Sequence, residues 1–203
     1  ESSDAPNAEI DMFGMYHRYL DPEEAKENFS GNGVVYLRGR LYLSSRFSLE
    51  MTYRNMQTRY EFDSSFFTQG HDITNSYTGF GAYLHSPGRP GVNTSMGIGY
   101  RTLNTESDWD SYDGGKGNEF FVATGMTVGE GSLRFLLGME YANYKYEFMD
   151  ERRYIIKPRI GLETRINKFR ISVETEVWLH DNDGSSSEST KILQVMPGIG
   201  YIF

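Results

Sequence analysis

Cysteine is absent from the 203 residues. That excludes a disulfide framework and thiolate metal sites. Long apolar runs are also missing. No stretch approaches the roughly 18 residues of a membrane-spanning helix, and mean hydropathy is −0.56. There is no basic tract, and 20 Lys and Arg face 28 Asp and Glu. The formal net charge of −8 argues against nucleic acid as a partner. The chain starts at Glu1 without Met, as a signal-processed or trimmed protein would. What is abundant is glycine (22), tyrosine (15) and phenylalanine (13), a β-rich profile.

Apolar and polar residues alternate with period two along most of the chain. The pattern predicts ten strands, near 8–20, 34–43, 47–59, 75–86, 92–103, 118–128, 133–147, 153–166, 169–180 and 191–203. One face is apolar throughout, for example Leu133, Phe135, Leu137, Met139 and Tyr141. The other carries charge, tyrosine and glycine, as in Lys157, Arg159, Gly161, Glu163 and Arg165. Connections alternate in length. Short ones fall at Ser44–Arg46, Pro87–Gly91, Gly129–Ser132 and Asn167-Lys168. Longer polar stretches fall at 21–33, 60–74, 104–117 and 181–190, and Phe148–Arg152 is a short exception. One domain over 1–203 is expected.

The last strand, Ile192 to Phe203, has apolar Leu193, Val195, Pro197, Ile199, Tyr201 and Phe203 at its odd positions. This ending resembles the closing strand of Gram-negative outer-membrane β-barrels, in which the terminal aromatic is read by the barrel-assembly machinery. The resemblance implies an all-β, antiparallel up-and-down transmembrane barrel of about ten strands, with eight or twelve as alternatives. It also implies an outer-membrane location with both termini periplasmic, and contact with outer-membrane lipid and lipopolysaccharide.

Alternation alone leaves open a lipocalin-like soluble barrel, whose apolar face points inward. Three features favour the apolar face outward. The polar face interleaves charges of both signs with glycines, as a narrow lumen requires. The apolar face ends in two aromatic girdles: Tyr16, Tyr53, Tyr100, Tyr141 and Tyr154 on the loop side, and Phe47, Phe169, Tyr201 and Phe203 on the turn side. The strands also exceed the usual five or six residues of globular sheets.

Register read from the tight turns sets Leu43 opposite Phe47, Arg40 opposite Glu50, Ile166 opposite Phe169 and Arg159 opposite Glu176. The inward charges are then Arg38, Arg40, Arg54, Arg101, Arg134, Lys157, Arg159, Arg165 and Arg170 against Asp11, Glu50, Glu119, Glu140, Glu163, Glu174 and Glu176. A structural salt-bridge filling is one reading. The other, which is the expected function, is a narrow passive channel for ions or small polar solutes, with Arg38, Arg40, Glu50, Arg54, Arg159, Glu163, Glu174 and Glu176 setting selectivity. Free space is expected along the last strand, beside Gln194, Gly198 and Gly200.

Other chemistry is thinner. The acidic loops suit solubility, cation concentration at a mouth, or an adhesin or scaffold role. Asp108, Asp110 and Asp113 half-match a calcium loop, but Tyr112 and Asp113 break the ligand pattern. His180-Asp181 is similar to the His–Asp pair of omptin proteases, without a placeable second acidic pair. Lipid A deacylases use a membrane-facing His, whereas His17 and His180 point inward by parity. No catalytic residue, metal or cofactor is expected.

Overall fold

Strand alternation closes into a barrel in the computed structural model, which describes residues 7–21, 29–32, 35–64, 67–87, 91–108, 114–180 and 190–203. Twelve strand segments occur: β1 (Ala8–Gly14), β2 (Tyr16–Asp21), β3 (Phe29–Asn32), β4 (Val35–Ser44), β5 (Phe47–Ser64), β6 (Phe67–Pro87), β7 (Val92–Ser107), β8 (Gly115–Val128), β9 (Leu133–Tyr146), β10 (Arg153–Ile166), β11 (Phe169–His180) and β12 (Lys191–Ile202). They form ten staves. β1 and β2 share one register against β12 from Glu9↔Ile202 to Tyr19↔Ile192, broken around Met15, and the register shifts between Ile192 and Lys191. β3 and β4 both pair with β5, one above the other. All pairings are antiparallel, and β1 and β2 on β12 close the ring, so no edge is left open. No helix occurs among the described residues.

The apolar face points outward. Ile10, Met12, Leu84, Met96, Ile98, Phe135, Met139, Ile160 and Ile171 are exposed, while Asp11, Glu50, Lys157, Glu174 and Glu176 are buried. That inverts the order of a soluble protein and rules out the lipocalin-like arrangement. Buried charge with exposed aliphatic surface is stable only when the surrounding medium is itself apolar. Both girdles face out, with Tyr141 stacked on Tyr154 at 5.6 Å and Tyr201 packed on Phe169 and Phe203 at 5.3 and 4.9 Å.

Three sequence expectations need correction. The stretch 60–74 is no loop: β5 and β6 pair without a break from Phe47↔Leu84 to Ser64↔Phe67. Its polar residues obscured the alternation, because a ladder outside a membrane needs no apolar face. Likewise β7 runs to Ser107, β8 starts at Gly115, and Phe29–Asn32 is strand. Finally, Phe47 pairs with Ser44 and not with Leu43, because a bulge between Tyr42 and Ser44 shifts the register at the turn. The turn at Asn167 follows expectation, with φ 56°, a conformation asparagine tolerates in two-residue hairpins.

Candidate functional site: the lumen

Several staves deliver charge to the turn-side half of the lumen and apolar bulk to the loop-side half. On β11 the inward order is Arg170, Ser172, Glu174, Glu176, then Trp178. On β10 it is Glu163, Arg159 and Lys157, then Ile155. On β5 Glu50 and Arg54 give way to Met56, and on β7 Arg101 gives way to Leu103. Two stacked layers result.

The charged layer is built from three groups of ion pairs. Arg38 bridges Asp11 and Glu174, both at 3.0 Å. Arg40 pairs with Glu50 at 2.5 Å, and Tyr83 donates to the same carboxylate at 3.3 Å. Arg170 reaches Glu9 at 3.2 Å and also holds Asp11. Arg165 pairs with Glu163 at 3.1 Å, while Arg134 lies 3.8 Å from Glu163. Arg101 clamps Glu140 and also bonds Glu119; Lys157 joins the same two carboxylates at 2.9 and 3.1 Å. Arg54 donates to Glu176 at 3.0 Å and to the Gln194 amide oxygen at 3.1 Å. Since Arg54 and Glu176 stand four positions apart in a ring of ten, this bond crosses the lumen.

All sixteen inward charges read from sequence meet here, and Glu9, 2% exposed, adds a seventeenth. Parity with Asp11 could have found it. Nine cations therefore face eight carboxylates. Arg159 is opposite Glu176 in register, as expected, yet its ion pair is diagonal, with Glu174 at 3.3 Å. Glu176 is instead taken by Arg54 and by the Trp178 indole N–H.

The second layer went unrecognised in the sequence. Met15, Met56, Leu103, Tyr144, Ile155, Trp178 and Ile192 are buried inside the barrel, with Tyr77 edge-on to Trp178 at 5.8 Å. They hold the inward parity, and that signal was available. The charged layer docks onto them: the Arg54 guanidinium lies 5.3 Å and the Lys157 ammonium 4.7 Å from the Trp178 ring.

The expected free seam along β12 is filled. A Cβ on Gly198 would overlap the Phe13 ring, and one on Gly200 would overlap the Asp11 carboxylate. Gln194 and Met196 are fully buried. These positions are small because neighbouring side chains lie across them. The same holds for Gly97 under Tyr83 and Gly99 under Phe121. Between the two layers a cavity of about 30 Å³ is lined by residues including Arg54, Arg101, Glu140, Lys157, Glu176 and Trp178. That is room for a water or two and not for a hydrated ion.

The histidines are engaged locally. His17 Nε2 lies 2.9 Å from Thr58 Oγ1, and His180 Nδ1 lies 3.1 Å from Tyr144 Oη. His85 contacts Ser48 at 2.7 Å, but that serine is fully buried. Asp181, Asp110 and Asp113 lie outside the described residues. Asp108 accepts the Asp72 backbone N–H at 2.8 Å, which ties β7 to β6. Among the described residues no cluster of three or more His, Asp or Glu is arranged to hold a metal.

No protein-family model matches the chain, and no curated protein matches it. Solved structures do. The β domain of the Bordetella autotransporter Brka aligns with a TM-score of 0.60 and 8% identity, over 98% of this chain and 100% of that one. The translocator domain of the autotransporter NalP from Neisseria meningitidis gives 0.53 and 8%, over 100% and 90%. The transport unit of AIDA-I from Escherichia coli gives 0.50 and 10%, over 100% and 92%. At such identities the likeness is one of fold: this chain is built as an outer-membrane β-barrel.

Proposed function

We propose that this barrel is an anchor with a sealed lumen, which acts through the surface it raises on its loop side, as an adhesin or as a scaffold of an envelope complex. The observation that carries this reading is the double closure of the interior. Ion pairs cross the turn-side half, an apolar cluster packs the loop-side half together with buried His17, Thr58 and Thr105, and the cavity between them holds about 30 Å³. A passive channel needs a wide, continuous polar path, and buried Met15, Met56, Leu103, Ile155 and Ile192 take up much of the lumen at this level.

What the barrel raises is the β5–β6 hairpin. Beyond the girdle residue Tyr53 the ladder continues from Asn55↔Ser76 to Ser64↔Phe67. Ten residues at roughly 3.3 Å each carry it about 30 Å further along the strand. With both termini periplasmic, this hairpin stands on the cell surface. Planar-bilayer recording tests the sealed lumen. Folded protein is expected to give no discrete current steps. Regular steps, altered in size or ion preference by Arg54→Ala or Glu176→Ala, would restore the channel reading and give the lumen charges a selectivity role.

A further inference from the structure

Every lumen cation has a carboxylate within ion-pair distance, but one group of cations on the outer wall does not. Lys116 on β8, Lys145 on β9 and Arg152 just before β10 share the outward parity of Phe120, Tyr141 and Tyr154. None of the three forms an ion pair with a described carboxylate, although Glu147, Asp150 and Glu151 lie in the adjoining turn. Lys145 Nζ donates to the Asp150 backbone carbonyl at 2.8 Å.

Arg152 is held in place by neutral groups. Its two terminal nitrogens donate to Asn143 Oδ1 at 2.9 Å and Asn118 Oδ1 at 2.8 Å. Its guanidinium lies 5.3 Å from the centre of the Phe120 ring. Neutral acceptors orient the fork and leave its charge whole. Five N–H groups are present and two are used, so three remain for an anion.

The level in the membrane is set by register. Asn143 is paired with both Phe120 and Tyr154, and Asn118 is paired with Lys145 one row further out. The cations therefore sit directly above the aromatic girdle, at headgroup depth. Immediately below them a groove of about 320 Å³ is lined by Tyr141, Tyr154, Ile156 and Leu179, with His180 at its side. A fixed, unneutralised guanidinium over a membrane-facing apolar groove matches a ligand with a phosphate at one end and an acyl chain at the other.

We infer that Arg152, Lys145 and Lys116 bind the phosphate of an outer-leaflet glycolipid, lipid A, whose acyl chain lies in the Tyr141–Tyr154–Ile156–Leu179 groove. The assignment to the outer leaflet rests on the orientation proposed above. Native mass spectrometry of the detergent-solubilised barrel tests it, using lipid A, dephosphorylated lipid A and phosphatidylglycerol as probes. Lipid A is expected to be retained over both others. Arg152→Ala is expected to weaken its retention about tenfold, the scale of one charge-assisted hydrogen bond. Lys145→Ala and Lys116→Ala should each weaken it a few-fold, and Arg46→Ala on the turn-side rim should change nothing. Heat-modifiable migration confirms that each variant is folded. Equal retention of dephosphorylated lipid A, or an unchanged Arg152→Ala variant, overturns the site. Displacement by millimolar inorganic phosphate overturns the lipid assignment in favour of a free-anion site. Equal retention of phosphatidylglycerol overturns the specificity for lipid A. Labelling of lysines on intact cells reports orientation separately, so a reversed barrel and a failed site give different results.

Discussion

At the residue scale the inward charges are tightly interdependent. Glu174 is 2% exposed at its side chain and holds both Arg38 and Arg159. Glu174→Ala leaves two cations short of a partner and is expected to lower unfolding stability by about 3–5 kcal/mol, measured by urea titration in lipid vesicles. Arg134 is 26% exposed with one long contact, so Arg134→Ala should cost less than about 1 kcal/mol. Equal effects would contradict the network as described. Gly198 offers a different test. Gly198→Ala places a methyl in the Phe13 ring and should cost about 1–3 kcal/mol. Adding Phe13→Ala should recover part of that loss, since the two residues share one space. Simple additivity would contradict the contact. Inward direction was legible for the charges because each side chain obeys strand parity. Their partners were less so. Arg159 prefers a diagonal acid and Arg54 crosses the lumen, and long flexible cations choose among several acids that register alone does not rank.

At the element scale the membrane-embedded parts of the strands were legible, and the parts beyond the membrane were not. Inside the bilayer every second residue must be apolar, so β9, β10 and β11 announce themselves. Above it the constraint lapses, and the polar run 60–74 reads as loop while the backbone continues to pair to Ser64↔Phe67. Beyond Tyr60 the projecting hairpin is held by its own ladder among the described residues, since β3 reaches β5 only as far as Phe29↔Tyr60 and β7 reaches β6 only as far as Ile73↔Ser107. Replacing residues 61–70 with an Asn-Gly turn after Tyr60, ahead of His71, preserves the observed Tyr60↔His71 pairing. The shortened barrel should remain heat-modifiable and lose no more than about 1 kcal/mol of stability. Failure to fold would show that the hairpin belongs to the barrel's core and is not a structure displayed upon it.

At the scale of the whole molecule, the fold class and the inside-out arrangement followed from alternation, girdles and the alternating connections. The sealed interior did not. The apolar plug is built from single residues at the loop-side ends of several strands, such as Met15, Met56, Leu103, Ile155 and Ile192, and no local window contains more than one of them. Only closure of the ring brings them together. The glycines of β12 read as open volume for the same reason, because Phe13 and Asp11 arrive from the other end of the chain.

Trp178 reports on both parts of this account at once, because it is inward-facing, 4% exposed and lodged between the ion pairs and the plug. The chain has two tryptophans, so Trp109→Phe leaves Trp178 as the sole indole emitter. In vesicles, its fluorescence should be quenched neither by brominated lipid acyl chains nor by acrylamide, a small polar solute. Quenching by brominated lipid would place the residue on the membrane face and contradict the inside-out barrel. Quenching by acrylamide would show that solutes reach the middle of the lumen and contradict its closure.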